Sequence, residues 1–400
     1  MRNHRNLRKW YKYVNRISLE ICGTWPNDGQ PAWRNIFDKS RVVFFAVSIV
    51  VFSLVPQTLA LIRVWGDLNL MIDNLIIYLP FVIAVGKIAT LWYRKEVSII
   101  ESMKSDWIKR KTNDEREVML RYARIARIIT IGGFIVISST VGIYHPAALL
   151  GFALRTITNL TDTGDDRVFA LQTVYWFDAY RSPFYELTAI SQAFACSVSG
   201  FCYTTVGTLF GAIVLHACSQ LENLKSRIER MKPRSHVQIS LHLFFAMVRQ
   251  RHVFLGRFVD QIEETFSAML LQVVIAFSVN VCIQAFQILY VSFVFQNFFV
   301  ANPPVVQIAF SIVYVMYIVF IMFVYSSVGD ELEAIRDAAY NCHWYNLTPR
   351  QAVQFIPILL QSRKPLKITA GKFVPLTLTT FASLMKTAAG YISFLLAVKE

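Results

Sequence analysis

The C-terminal stretch Pro365–Glu400 reads PLKITAGKFVPLTLTTFASLMKTAAGYISFLLAVKE. Its first part, Pro365–Val374, is polar, basic and broken by glycine and proline, which argues against a continuous helix. Its second part, Pro375–Val398, is apolar apart from Lys386. Proline is tolerated at a helix start because its missing N–H had no partner there, so the spacing predicts a helix from Pro375. At a rise of ~1.5 Å per residue, a run of this length crosses a bilayer core of ~30 Å. Ala388, Ala389, Gly390 and Ser393 are small enough for close helix approach or a narrow lumen.

The rest of the chain fits one such span among several. Of its 400 residues, 55% are hydrophobic and 16% charged, against ~25% charged in soluble domains. Seven apolar segments can be marked: Val42–Ile62, Leu70–Trp92, Ile125–Ala147, Thr188–His216, Phe266–Ser292, Pro304–Ser326 and Pro375–Val398. The fold class expected is an all-α integral membrane protein with seven transmembrane helices. Met1–Arg41 is too basic and too long before the first apolar run to read as a cleaved signal peptide.

Basic residues orient the spans. Alternate inter-span regions carry nine, nine, eight and six Lys or Arg, and the other set carries one, three, none and one. Basic loops stay cytoplasmic, so the N-terminus is placed inside and the C-terminus outside. The net charge of +14 is mostly this asymmetry, which excludes nucleic acid as its explanation. Asn159-Leu160-Thr161 is a glycosylation sequon in a loop placed outside, which agrees. Asn346-Leu347-Thr348 falls inside and is read as unused.

This gives a cytoplasmic N-terminal segment over 1–41, then spans one to four over 42–216 with a long outer loop at 148–187. A cytoplasmic helical extension follows over 217–265, then spans five and six over 266–326, a cytoplasmic helical anchor over 327–373, and the last span over 374–400. Trp10, Tyr11, Tyr13, Trp25 and Trp33 suit either an interfacial segment under the membrane or a plain cytoplasmic tail. Beyond His216 the stripe Leu221, Leu224, Ile228 and Met231 keeps helical spacing, and a second amphipathic run covers Ile239–Val259. These stripes need a partner, either each other or a neighbouring subunit. Thr348 as N-cap with Pro349 at N1 predicts a further helix to Ser362. The outer loop, with Tyr175-Trp176-Phe177, is long enough to fold over the bundle as a lid.

Three sets of residues share faces in the outer halves of spans: Asn74, Tyr78 and Phe81; Ser138, Val141 and His145; Phe310, Tyr314 and Tyr317. A lone histidine such as His145 is more often a hydrogen-bonded structural residue than a ligand. Asp73 and Lys87 in span two are expected to snorkel or pair. The six cysteines form no CxxC and no paired outer set, so neither disulfide nor metal framework is expected. The sequence has no Walker loop, GxSxG or HExxH, so no catalytic residues, metal or cofactor are expected and an enzyme is disfavoured. His252 and His343 are expected at a surface or interface.

Several motifs resemble one family. Asn346-Leu347-Thr348-Pro349, Pro365 to Phe373, Pro375 to Phe381 and Leu384-Met385-Lys386-Thr387 are similar to the C-terminal signature of insect odorant receptors. Ser182 to Leu187 and Val328-Gly329-Asp330-Glu331-Leu332 also resemble that family. The chain departs from it at Ala388-Ala389-Gly390-Tyr391, where many members carry a Ser-Tyr-Ser-Tyr type sequence. The Ala217–Thr265 loop is shorter than that of the shared co-receptor, so a ligand-tuned subunit is implied. The Thr-Tyr…Gln-Phe pattern of gustatory receptors is missing, as are the span-three and span-seven motifs of G-protein-coupled receptors. A gustatory-type channel, a seven-span transporter or a G-protein-coupled receptor of unusual topology remains the alternative.

The resemblance implies an odorant-gated, non-selective cation channel subunit. It would form a heterotetramer with the odorant receptor co-receptor, in the plasma membrane of olfactory sensory dendrites. A small volatile odorant would bind among spans two, three, four and six. Its wall would comprise the three faces above together with Phe194 and Ser197 of span four. The final helix would line the pore, with Thr387, Gly390, Phe394 and Val398 on one face. The resemblance places Phe394 and Val398 at a hydrophobic gate; the alternative is that both pack against lipid or span six.

Overall fold

The computed structural model describes residues 16–25, 31–93, 97–109, 111–149, 158, 160–162, 167–229, 238–297 and 367–399, with isolated positions between 312 and 356. Helix α1 covers residues 16–22. Span one is built from α2 (Ala32–Ile49), a π-helical turn (Val50–Leu54) and α3 (Val55–Arg63). The wide turn has a cause in the sequence. Pro56 has no N–H and its ring crowds the preceding turn, and a π-turn opens the ladder at that point. Span two is α4 (Leu68–Tyr93), followed by the short α5 (Val97–Ile108); α6 (Asn113–Leu149) holds span three.

Spans four and five lie in α7 (Phe184–Glu229) and α8 (Gln238–Asn297), of 46 and 60 residues. Both run well beyond the length a bilayer needs, as the amphipathic runs predict. They are also the central pillars. In their most apolar windows 78% and 67% of residues are buried, against 17% for α6. Phe210 of α7 and Phe266 of α8, both fully buried, meet with ring centroids 5.2 Å apart. At Gly86 of α4 an added Cβ would sit 2.0 Å from the Gln272 amide of α8, and that amide donates to the Val82 carbonyl at 3.1 Å. Glycine therefore sets how closely spans two and five approach.

The final helix, α9 (Leu378–Lys399), begins three residues later than Pro375. Pro375 instead lies in a two-strand hairpin, β1 (Thr369–Ala370) against β2 (Val374–Pro375). Thr377 caps the helix, its hydroxyl accepting the Thr380 N–H at 3.2 Å. A hydroxyl that satisfies an orphan N–H fixes the start better than a proline, which only lacks one. The hairpin turn needs positive φ at Gly371 (66°) and Lys372 (68°), so the glycine is used for backbone freedom.

Among the described residues, five helices are long and apolar enough to cross a membrane. Positions 312–326 that are described, part of the sixth apolar segment, are helical, as are 349, 353 and 356 in the anchor. Lys87 neither snorkels nor meets an acid in the contacts described. It is 2% exposed, with Nζ 3.4 Å above the Tyr203 ring and 3.4 Å from the Tyr203 carbonyl, a cation–π seat inside the bundle. His252, expected at a surface or interface, is buried within this chain, while His343 lies outside the described residues. Cys22 of α1 and Cys202 of α7 are free thiols with sulfurs 3.7 Å apart.

Helices α5, α7 and α8 are tied on the side placed in the cytoplasm. The Asp106 carboxylate receives both Arg251 nitrogens at 2.9 and 3.0 Å and lies 3.5 Å from His216 Nε2. Gln220 Oε1 accepts from Arg251 at 2.5 Å and from Lys111 Nζ at 2.8 Å. Burial holds the Lys111 ammonium down at about 8. Thr112 and Glu115 form a reciprocal capping box that starts α6. Glu115 also pairs with Arg227 of α7.

Candidate functional site

Two regions carry the residues singled out from the sequence. The first lies where α3, α4 and α7 meet under the outer loop. Residues Phe169–Val174 of that loop are buried, with Leu171 packed in one apolar cluster with Phe81, Val198 and Ile49. The loop is stitched down by named bonds. The Val174 N–H donates to the Pro56 carbonyl at 3.1 Å. Gln192 of α7 donates to the Thr173 and Tyr175 hydroxyls at 3.0 and 2.9 Å. Tyr144 of α6 donates to the Ala170 carbonyl at 3.4 Å. The loop is thus a plug seated among spans one, two and four, and Phe169 packs within it on Tyr175 and Tyr180 and against Tyr185 at the start of α7.

The structure distributes the expected pocket residues unevenly. Asn74 is buried and donates to the Gln57 and Gln172 carbonyls, both at 3.3 Å. Tyr78 is half-buried, its hydroxyl 3.3 Å from Thr58 Oγ1. Phe81 is buried in the same apolar cluster as Leu171. These three come together beneath the loop. On α6, His145 is buried edge-on to Tyr144, Val141 is half-buried and Ser138 is exposed. On α7, Phe194 is 41% exposed with its ring 6.1 Å from Phe44 of span one, and Ser197 is exposed with its hydroxyl bonded back to Ala193. Phe310, Tyr314 and Tyr317 lie outside the described residues, as does Asn159.

Gln57, Thr58, Gln172 and Gln192 belong to this region and were not singled out from the sequence. Gln57 follows Pro56 in an apolar run, a signal of a buried polar group that a face-by-face reading of span two alone passes over.

The second region is α9. Phe381, Leu384, Met385 and Ala388 recur at helical spacing and pack against the α8 core. Phe277 and Phe381 lie 6.4 Å apart, and the Cys282 thiol approaches the Ala388 carbonyl at 3.6 Å. The face turned away, with Thr387 and Gly390, is exposed, and an added Cβ at Gly390 would meet nothing within 4 Å. Phe394 and Val398 continue the helix, described in backbone only. Below α9 the hairpin docks on α8. The Glu263 carboxylate accepts the Thr369 N–H at 2.6 Å and the Thr369 hydroxyl. Ser267 accepts the Gly371 N–H on its carbonyl at 2.9 Å and the Lys372 N–H on its hydroxyl at 3.0 Å.

Comparisons with known proteins agree on one family. The 7tm odorant receptor profile matches residues 67–389. Odorant receptor 13a of Drosophila melanogaster is 23% identical over 262 residues, 58% of either protein, so the chain spans under three-fifths of that relative's length. The odorant receptor coreceptor of Aedes aegypti is 26% identical over 152 residues, covering 38% of this chain and 30% of that one. Among solved structures, the olfactory receptor OR5 of Machilis hrabei in complex with eugenol superposes with a TM-score of 0.79 at 16% identity, covering 99% of this chain and all of that one. That likeness extends to the whole all-α membrane bundle. The chain belongs to the 7tm odorant receptor family of seven-span membrane proteins.

Proposed function

We propose that this receptor is the ligand-tuned subunit of an odorant-gated, non-selective cation channel, assembled with the odorant receptor co-receptor as a heterotetramer in the dendritic membrane of olfactory neurons. The observation that carries this reading is α9. It buries one face on α8 and presents the other, with Thr387 and Gly390, to no partner within the described subunit. A helix apolar on most of its surface, with one small-residue face left over, suits a pore wall shared between subunits. Phe394 and Val398 on the continuation of that face would form the gate. An apolar ring excludes water when narrow and conducts when slightly widened. The odorant would bind in the outer half of the bundle, with Asn74, Tyr78, Phe81, Ser138, Val141, His145, Phe194, Ser197, Phe310, Tyr314 and Tyr317 as candidate walls. Aromatic walls bind by shape and dispersion with few polar anchors.

The test is co-expression with the co-receptor and whole-cell recording across an odorant panel that includes eugenol. Odorant-evoked cation current that requires both subunits is expected; current from this chain alone, or none with any panel member at confirmed surface expression, would sink the reading. Val398→Ser should raise basal current without reordering the odorant panel. If it conducts as wild type and thiol reagents never reach cysteine placed at 394 or 398, the face does not line the pore. Orientation is tested separately. A tag after Glu400 should be stained on intact cells and a tag before Met1 only after permeabilisation, and the reverse pattern rejects the topology.

A further inference from the structure

Three buried amides meet where the outer loop crosses spans one and two. Gln57 is 1% exposed, Asn74 2% and Gln172 2%, and they come from three separate elements. Asn74 Nδ2 bonds the backbone carbonyls of both other residues, which brings the three residues to one junction. Gln57 Oε1, Asn74 Oδ1, and both Oε1 and Nε2 of Gln172 are buried with no hydrogen-bond partner among the described residues. Such groups are paired in folded proteins almost without exception, so this concentration needs an explanation. The π-turn ends two residues before Pro56, and Ser53 Oγ within it is also buried and unpaired among the described residues.

The chemistry selects the occupant. Three carbonyl oxygens require donors and one amide nitrogen requires an acceptor. Water donates two hydrogen bonds and accepts as well, and buried water commonly makes about three bonds to such groups. The unpaired Gln172 Nε2 needs an acceptor as well, which water supplies and a bare cation does not. We propose that the Gln57–Asn74–Gln172 junction is a binding site for ordered water, which completes these amides and fastens the outer loop to spans one and two. This site is distinct from the proposed odorant pocket wall in what it binds and does not depend on channel activity. Asn74 becomes a positioning residue of the loop.

The sign of one substitution separates a wet junction from a dry one. Gln172→Met keeps the volume and removes the amide. If water fills the junction, the substitution strips it of partners. Deuterium exchange at the Val174 amide of the intact receptor in nanodiscs should then quicken by about tenfold. If the junction is dry, the same substitution relieves an unpaired amide, and unchanged or slower exchange overturns the proposal. Replacing sodium chloride with choline chloride should leave wild-type exchange unchanged. Faster exchange without sodium overturns the proposal in favour of a cation held by the carbonyls. Should Gln172→Met fail to fold, X-ray radiolysis of the wild type decides. Bound water generates hydroxyl radical in place, so Pro56 and the segment Leu171–Val174 should be oxidised despite burial. Oxidation at exposed Trp176 with none at these positions rejects the site.

Discussion

Asp106→Ala should remove most of the receptor from the cell surface and lower the thermal unfolding midpoint of what remains. Asp106 is 2% exposed and compensates Arg251, whose side chain is 20% exposed and reaches across from α8. Truncating one partner of a buried pair leaves the other charge uncompensated, which costs about 3–5 kcal/mol. Total stability is only about 5–15 kcal/mol, so one such loss is decisive. The cost comes from the stranded charge rather than from the attraction itself. The double substitution Asp106→Leu with Arg251→Met should therefore recover much of the loss, and a double variant as poor as the single would refute this account. Arg121→Ala is the contrast. Arg121 also contacts both oxygens of a carboxylate, Glu222, at 2.6 and 2.5 Å, but its side chain is 57% exposed. Its loss should cost no more than about 1 kcal/mol.

The same network sets an acid limit. Burial pushes the Asp106 carboxyl up, but the nearby His216 and the hydrogen bonds and charge of Arg251 outweigh it and hold the group well below the usual range. Burial likewise opposes ionisation of Glu115, and Arg227 and the Thr112 N–H outweigh it. Carboxyls depressed in the folded state add stability that is fully present above their unfolded values, ~3.9 for Asp and ~4.3 for Glu. It is lost as pH falls through the folded values. Near neutral pH stability should thus carry these carboxyls' contribution in full and not vary with pH on their account, and acid destabilisation below about pH 4 should be weaker in Asp106→Asn than in wild type.

The spans were legible because apolar length and basic asymmetry are local signals. The 46- and 60-residue helices were also foreseen, since the stripe beyond His216 keeps its period after the apolar run ends. The outer loop reads as a lid from its length and aromatics, yet nothing local says that Leu171 joins the buried cluster that holds Phe81. That pairing depends on contacts across some 90 residues. The Asp106–Arg251 tie is 145 residues long-range and has no motif at all. By contrast, Thr112-Asn113-Asp114-Glu115 carries a capping-box signature that an inspection for helix starts would find. Pro375 misled because a proline permits a helix start without specifying one, whereas the Thr377 hydroxyl specifies it.

Glu263→Ala should raise the odorant concentration for half-maximal current by about tenfold while leaving the rank order of odorants intact. The argument runs along α8 and α9. The final helix is tied to α8 at three heights: at its base through Glu263 and Ser267, midway through Phe277 and Phe381, and higher through Cys282 and Ala388. Phe394 and Val398, the proposed gate residues, lie beyond the highest tie. On the proposed function, a displacement of α8 caused by ligand would reach that gate only as far as the base of α9 follows. Apolar ties are non-directional and tolerate sliding, so the hydrogen-bonded base sets the register. Hydrogen bonds to a carboxylate are about twice as strong as neutral ones, which makes Glu263 the dominant part of that base. Thr369→Val removes the hydroxyl partner but leaves the Thr369 N–H bond, so its shift should be smaller. Because the two residues act on one contact, the Glu263→Ala and Thr369→Val effects should not add. Dose–response curves at matched surface expression measure all three variants. An unchanged midpoint in Glu263→Ala, or fully additive shifts in the double variant, would show that the hairpin only supports the fold and takes no part in transmitting ligand binding to the final helix.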